Sequence, residues 1–260
     1  MNAPRPQTIP VFLLVKSAFQ VLWHQRDDAL RLGLVPTLIC FGGLLYGEDA
    51  LIALATQLQS GTIDAAPPGV SLTMLAMMLI LFAGMLLAAG NWLRFMLLGP
   101  MGAVGLGLAI GRPHLMFLVA CVVMEFVGSI ALSVISMPLA SLPGVLGLIG
   151  GMVGFILVTV VLVRLSPFVV GQVIAQPMSL QQAWRSSRGN GIPLTVALIL
   201  VSVPIWIVTS ILNQVLIAVG FAAVAPLAMV FIVAVFVILL SILLATVLAT
   251  AFRQIVGIKV

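Results

Sequence analysis

The residue most capable of chemistry in this sequence is Glu125, a carboxyl within a long apolar segment. Ser129, Ser133 and Ser136 follow it at intervals of four, four and three residues, which places all four side chains on one face of a helix. Glu125 would lie about 18 Å along that helix, near the middle of a bilayer. Because an ionisable group there costs about 2.5–3.5 kcal/mol, we expect Glu125 to face the interior of a helix bundle.

This polar stripe, defined as Glu125, Ser129, Ser133 and Ser136, has two interpretations. In the first, it is a site for a proton or a cation, or a contact for a polar substrate. In the second, a neutral carboxyl hydrogen-bonds to a neighbouring helix and serves packing alone. The residue types do not decide between them.

A second polar group stands near the ends of apolar segments. Asn91 and Arg94 end one such segment, Arg164 ends another, and Arg185 and Arg188 follow it. Guanidinium groups bind phosphate oxygens through two parallel hydrogen bonds, so these residues are candidate contacts for anionic lipid head groups. The alternative is that long basic side chains merely anchor helix ends at the membrane surface.

Motifs of catalysis are missing from the sequence. It contains no nucleophile elbow, no zinc-protease histidine pair and no phosphate-binding glycine loop. His24 and His114 lack the spacing of metal ligands, and Cys40 and Cys121 lie in apolar segments, where packing thiols are expected. The sequence therefore predicts no enzyme activity, no catalytic residue, no metal and no cofactor.

Composition excludes a soluble protein. Hydrophobic residues make up 63% of the chain and charged residues 7%, and the mean hydropathy is +1.33, so polar groups could not cover a water-facing surface. The net charge of +5 does not indicate nucleic-acid binding, because the basic residues stand singly at segment ends rather than in a dense patch. Anionic lipid head groups are the expected counter-charge.

The apolar segments predict one all-α membrane domain over residues 1–260. A spanning helix needs about 20 apolar residues. Six segments meet that length, at about residues 29–47, 71–93, 113–137, 143–164, 192–218 and 222–252. Pro204 and Pro226 are expected kink sites in the last two.

The distribution of charge predicts the orientation of these spans. If they alternate in direction, all 11 Lys and Arg residues lie on one side of the membrane, and Glu48, Asp49 and Asp64 lie on the other. Basic loops stay in the cytoplasm. The prediction is a multi-pass protein of the bacterial inner membrane, with both termini inside.

Three further elements complete the predicted architecture. Interfacial amphipathic helices are expected at about residues 9–28 and 179–188, the second because Ser179 and Gln182 match a capping box. Residues 48–70 are expected to form the one sizeable loop opposite the basic side.

The spans pair into three hairpins with a shared pattern. Each hairpin has an Arg and then a Pro near the start of its first helix, and an Arg near the end of its second helix. The pattern indicates either an internal repeat or only the preference for basic residues at cytoplasmic helix ends. Glycines spaced by four in the fourth span are expected to pack internally rather than in a dimer.

Two segments resemble a known family. Residues 91–99, beginning Asn91-Trp92-Leu93-Arg94, resemble a signature of uncharacterised proteobacterial inner-membrane proteins, and residues 164–190 resemble their second signature. That family is in turn similar to the membrane domain attached to some glycerophosphoryl diester phosphodiesterases. The resemblance implies a six-helix membrane module. It does not imply hydrolase activity, because the phosphodiesterase barrel is absent from this sequence.

These observations favour a non-catalytic membrane protein that acts as an accessory, scaffold or assembly component, with membrane lipids and a protein partner in the membrane. The alternative is a small permease or lipid-handling protein that uses Glu125 and the cytoplasmic arginines. A lipid-modifying enzyme would need a second buried ionisable group beside Glu125.

Overall fold

A computed structural model of the chain describes residues 9–60, 68–102 and 111–256. Within these ranges the fold is all-α, and six helices are long and apolar enough to cross a membrane. The prediction of an all-α polytopic membrane protein is confirmed. The helices are α1 (Val11–His24), α2 (Arg26–Tyr46), α3 (Glu48–Ser60), α4 (Pro68–Leu98), α5 (Arg112–Ala140), α6 (Val145–Arg164), α7 (Ser166–Val173), α8 (Leu180–Ser186), α9 (Gly191–Ala218), α10 (Phe221–Val224) and α11 (Pro226–Val256).

The spanning helices are α2, α4, α5, α6, α9 and α11. Chain neighbours pack as antiparallel pairs, α2 with α4, α5 with α6 and α9 with α11. Arg164 and Arg253 stand in the last turns of α6 and α11, and Arg94 lies four residues before the end of α4. We call the end of the bundle that carries these arginines the basic end.

Local signals explain where several helices begin. Pro113 occupies the first turn of α5 and Pro167 the first turn of α7, where a missing N–H leaves no hydrogen bond unmade. Ser179 caps α8: its hydroxyl accepts from the Gln182 N–H, and the Gln182 side chain accepts from the Ser179 N–H. The capping-box prediction is confirmed.

Two expectations need correction, and one helix was not expected. Residues 48–60 of the expected loop form α3, whose Ala50 is buried and which packs against α4; residues 61–67 lie outside the described part. Pro226 does not kink a continuous span. Gly220, with φ of +74°, precedes the short helix α10, and Pro226 then begins α11. The chain also forms α7 directly after Arg164, which the hydropathy pattern did not predict.

Two hydrophobic clusters form the interior, and α11 contributes to both. The larger joins α2, α4, α7 and α11 around Trp92, with Phe117 as the contribution of α5. The smaller joins α1, α9 and α11, with Val163 as the contribution of α6. The α5–α6 hairpin is therefore at the edge of the bundle, attached to its core mainly through its basic end.

Helix α1 is held against this core. Leu14 and Ala18 pack in the smaller cluster, and the Ile9 N–H donates a 3.0 Å hydrogen bond to Asn190 Oδ1. Phe12, Leu13 and Trp23 are exposed on its other side. The helix is thus apolar on both sides, as suits a helix that contacts protein on one side and lipid on the other.

Candidate functional site

The sequence placed candidate residues in two regions, the basic end and the α5 stripe. At the basic end, Trp92 of α4 is fully buried, and its Nε1–H donates a 2.7 Å hydrogen bond to Thr246 Oγ1 of α11. Its ring stacks on that of Phe95 at a centroid distance of 5.2 Å. A buried indole needs a partner for its N–H, so this pair fixes the register between α4 and α11.

Asn91 lies beside Trp92 and is also fully buried. Its Nδ2 donates a 2.9 Å hydrogen bond to the Leu87 carbonyl, and its Oδ1 is 3.2 Å from Nε2 of the buried His114 on α5. The expectation that Asn91 contacts a lipid head group is wrong, because burial keeps its amide from the surface. The side chain instead joins α4 to the first turn of α5.

His114 is a structural residue that the sequence interpretation missed. Its position in the sequence was the only indication. His114 lies near the start of one predicted span and Asn91 near the end of the preceding one, so both lie close to the basic end. Comparing the expected depths of polar residues on consecutive spans could have paired them.

Arginines at the basic end bond to backbone carbonyls of other elements. Arg94 Nε donates to the Gly102 carbonyl at 2.9 Å, and Arg94 Nη1 donates to the Val173 carbonyl at 2.6 Å. Arg253 Nη2 donates to the Met96 carbonyl. The Met96 and Val173 carbonyls lie in the last turns of α4 and α7, where helices leave acceptors unpaired, and the Gly102 carbonyl lies in the segment that follows α4. The arginines therefore close helix ends, which is a structural role.

The other candidate head-group residues surround α8. Arg164 Nη2 donates to the Trp184 carbonyl at 2.9 Å, and its guanidinium carbon lies 3.5 Å from the centre of the Trp184 ring. Arg185 lines an open groove of about 700 Å³ with Gln182 and Phe252. Arg188 is exposed. The structure thus brings Arg164, Arg185 and Arg188 together near α8, apart from the buried Asn91.

On α5 the polar stripe does not face the interior. Glu125, Ser129 and Ser133 are exposed, and only Ser136 is partly covered. The expectation that Glu125 faces the bundle interior is wrong for the single chain. The described residues give Glu125 no hydrogen bond and no ion pair, while the Ser133 hydroxyl donates to the Ser129 carbonyl at 2.9 Å.

The small residues of the hairpin let α5 and α6 pack closely. A Cβ built at Gly154 of α6 would lie 2.9 Å from Ser136 Cα, and one at Gly150 would lie 2.5 Å from the Leu139 carbonyl oxygen. A Cβ at Gly128 of α5 would lie 2.8 Å from Leu162. The expectation of internal packing for the glycines of α6 is confirmed. Ser136 of the stripe lies in this close contact and is partly covered, whereas Glu125, Ser129 and Ser133 remain exposed.

Within the described ranges, no group of three His, Cys, Asp or Glu side chains is arranged to hold a metal ion. No protein-family model, curated protein or solved structure matches this chain. The resemblance of residues 91–99 and 164–190 to uncharacterised inner-membrane proteins stays a prediction.

Proposed function

We propose that this chain is a non-catalytic protein of the bacterial inner membrane that acts as an assembly component, and that it holds a partner transmembrane helix against the outer face of α5. The observation that carries the proposal is the exposure of Glu125, Ser129 and Ser133 on a spanning helix. Both termini lie in the cytoplasm in this proposal, because the basic end of the bundle stays there.

A carboxyl in hydrocarbon is unfavourable unless a hydrogen-bond partner accompanies it. An ionisable side chain at the centre of a span costs about 2.5–3.5 kcal/mol on insertion scales, so such groups are normally paired. The described residues of this chain supply Glu125 with no hydrogen bond. A second transmembrane helix can supply one without leaving the membrane.

The same face specifies the chemistry of the partner. The carboxyl of Glu125 accepts hydrogen bonds, and the hydroxyls of Ser129 and Ser133 accept and donate them. A helix with Ser, Thr, Asn, Gln or a basic residue at the depth of Glu125 complements it, and each interhelical hydrogen bond in a membrane is worth about 0.6–2 kcal/mol. Small serine side chains also let the two helix backbones approach closely.

The interior polar groups support a non-catalytic role. Trp92 bonds to Thr246, and Asn91 bonds to His114 and to its own helix. These groups stabilise contacts between helices, whereas Glu125 lies on the outer side of another helix. A carboxyl on the outside of the bundle also offers no path through it, which argues against a permease that conducts along Glu125.

A test is photocrosslinking in cells with a photoreactive amino acid at Phe126, which is exposed beside Glu125. We expect crosslinks to a transmembrane peptide of another protein, reduced at least about tenfold by Glu125→Leu and much less by Glu125→Gln, whose amide still hydrogen-bonds. The matched control is Ser210→Leu, which removes an exposed polar group from α9.

Two outcomes would count against this proposal. Crosslinks that survive Glu125→Leu in full would show that the stripe does not hold the partner. Crosslinks only to a second copy of this chain would replace the assembly role with self-association.

A further inference from the structure

A groove between α6 and α9 has features that neither the α5 stripe nor the basic-end contacts explain. It encloses about 490 Å³, and Leu244 and Leu248 of α11 form part of its lining. Apolar side chains cover most of it, but three hydroxyls, those of Thr159, Thr195 and Ser202, also line it. The groove lies on helices other than α5, so its role is independent of the proposed partner site.

The three hydroxyls differ in one respect. Thr159 donates to the Phe155 carbonyl and Ser202 to the Leu198 carbonyl, each at 2.8 Å and each four residues back on its own helix. Thr195 is 2% exposed, and its hydroxyl has no hydrogen-bond partner among the described residues. Buried hydroxyls are normally paired, so Thr195 is the group in this groove that is poised to bond a ligand.

A basic residue stands at one end of the same helix pair. The Arg164 side chain packs against Gly191, the first residue of α9, one helical turn before Thr195. Its Nη2 is bonded to the Trp184 carbonyl, but its buried Nε has no hydrogen-bond partner in the part of the chain that the structure describes. Arg188 precedes Gly191 by three residues and is exposed. Two positive charges therefore flank the first turn of α9.

The order of groups along the groove matches one class of ligand. The Arg164 side chain packs against Gly191, one helical turn closer to the basic end than Thr195, and from the Thr195 hydroxyl the groove continues along apolar side chains to Trp206. Thr195 and Trp206 are separated by about 17 Å of helical rise, close to the thickness of one hydrocarbon leaflet, which is about 15 Å. A phospholipid presents a phosphate, an ester carbonyl and an acyl chain in that order.

We infer that the α6–α9 groove binds an anionic glycerophospholipid, whose ester carbonyl accepts a hydrogen bond from Thr195 and whose phosphate lies against Arg164. The acyl chain follows the apolar wall towards Trp206. The lipid satisfies a buried hydroxyl that the described residues leave unpaired, and its charge offsets that of the arginines at the basic end.

The test measures lipid binding to the delipidated, detergent-purified full chain by native mass spectrometry. Phosphatidylglycerol with ester-linked chains is compared with its ether-linked analogue, which lacks the carbonyl acceptor. We expect wild-type protein to prefer the ester lipid about five- to tenfold. Thr195→Val, which keeps the side-chain volume, should abolish that preference, and the matched control Thr159→Val should retain it.

Two further arms identify the source of the phosphate. Phosphatidylcholine should bind at least about threefold more weakly than phosphatidylglycerol, because its head group carries no net charge. Free glycerol 3-phosphate at the same concentration should not displace bound lipid, because it lacks the acyl chain. Displacement by glycerol 3-phosphate would overturn the assignment to a lipid, and equal binding of phosphatidylcholine would overturn the anionic specificity.

The ester–ether comparison on wild-type protein does not require any variant to fold. Equal binding of the two lipids to wild-type protein would overturn the inferred hydrogen bond, as would an ester preference that persists in Thr195→Val. A melting profile for Thr195→Val like that of wild-type protein confirms that the comparison reports binding.

Discussion

The centre of the bundle and the α5–α6 hairpin contain similar apolar residues but orient their polar side chains differently. At the centre, Trp92 and Asn91 of α4 point inward and bond to Thr246 and His114. On the hairpin, Glu125 and its neighbouring serines point outward from the chain. Polar side chains in the spanning helices thus either bond within the chain, as at the centre, or lie exposed on its surface, as on the hairpin.

The two regions also differ in the size of the residues between the helices. The α5–α6 contact is lined by Gly128, Gly150 and Gly154, so the two backbones pack closely there. The contact between α4 and α11 is built around the large ring of Trp92 and leaves room for Thr246 beside it. The centre thus encloses a large ring with its polar partner, whereas the hairpin is held by close contacts of small residues.

The largest expected effect comes from removing the central ring. Trp92→Ala deletes a fully buried side chain and its hydrogen bond to Thr246, and we expect it to lower the free energy of unfolding by about 3–5 kcal/mol. Unfolding of the purified protein in mixed micelles, driven by SDS and followed by circular dichroism, measures the loss. The matched control is Trp206→Ala on α9, where the ring is 66% exposed. Equal losses at the two positions would remove the distinction between centre and lipid-facing surface.

A smaller effect is expected when the hairpin is forced apart. Gly154→Ala adds a methyl group 2.9 Å from Ser136 Cα, so one helix must shift, and we expect a loss of about 1–3 kcal/mol in the same unfolding measurement. Gly42→Ala is the control, because a Cβ there meets nothing within 4 Å. The control should be neutral or stabilising by up to about 1 kcal/mol, since alanine favours a helix. If both substitutions stabilise the protein, close packing does not hold the hairpin together.

The smallest effect on stability is expected at the stripe itself. Glu125→Leu replaces an exposed polar side chain with one that suits lipid, so the free energy of unfolding of the isolated chain should not fall. Asn91→Leu provides the comparison: it leaves His114 buried without its partner and should cost about 1–3 kcal/mol. Thermal melts of the two variants and of wild-type protein, in the same detergent, measure both changes in stability. A clear loss of stability in Glu125→Leu would mean that the carboxyl serves the chain's own fold.

Sequence patterns predicted the local structure well. The six spans follow from apolar length, and the start of α8 follows from the Ser179–Gln182 capping box. Prediction failed where a neighbour in space decides the outcome. α3 contains enough polar residues to resemble a loop, but it is helical and buries Ala50 against α4. The Asn91–His114 contact joins residues 23 positions apart, which no local pattern specifies.

The sequence by itself determined that this protein is a helical membrane bundle, how many helices are long and apolar enough to cross, and where Glu125 stands along its helix, because apolar length and residue position along a helix are local properties. Only the tertiary structure decided the directions in which side chains point around each helix axis. Glu125 faces outward, Asn91 inward, and Thr195 into a groove, because each direction depends on which faces of distant segments pack most closely.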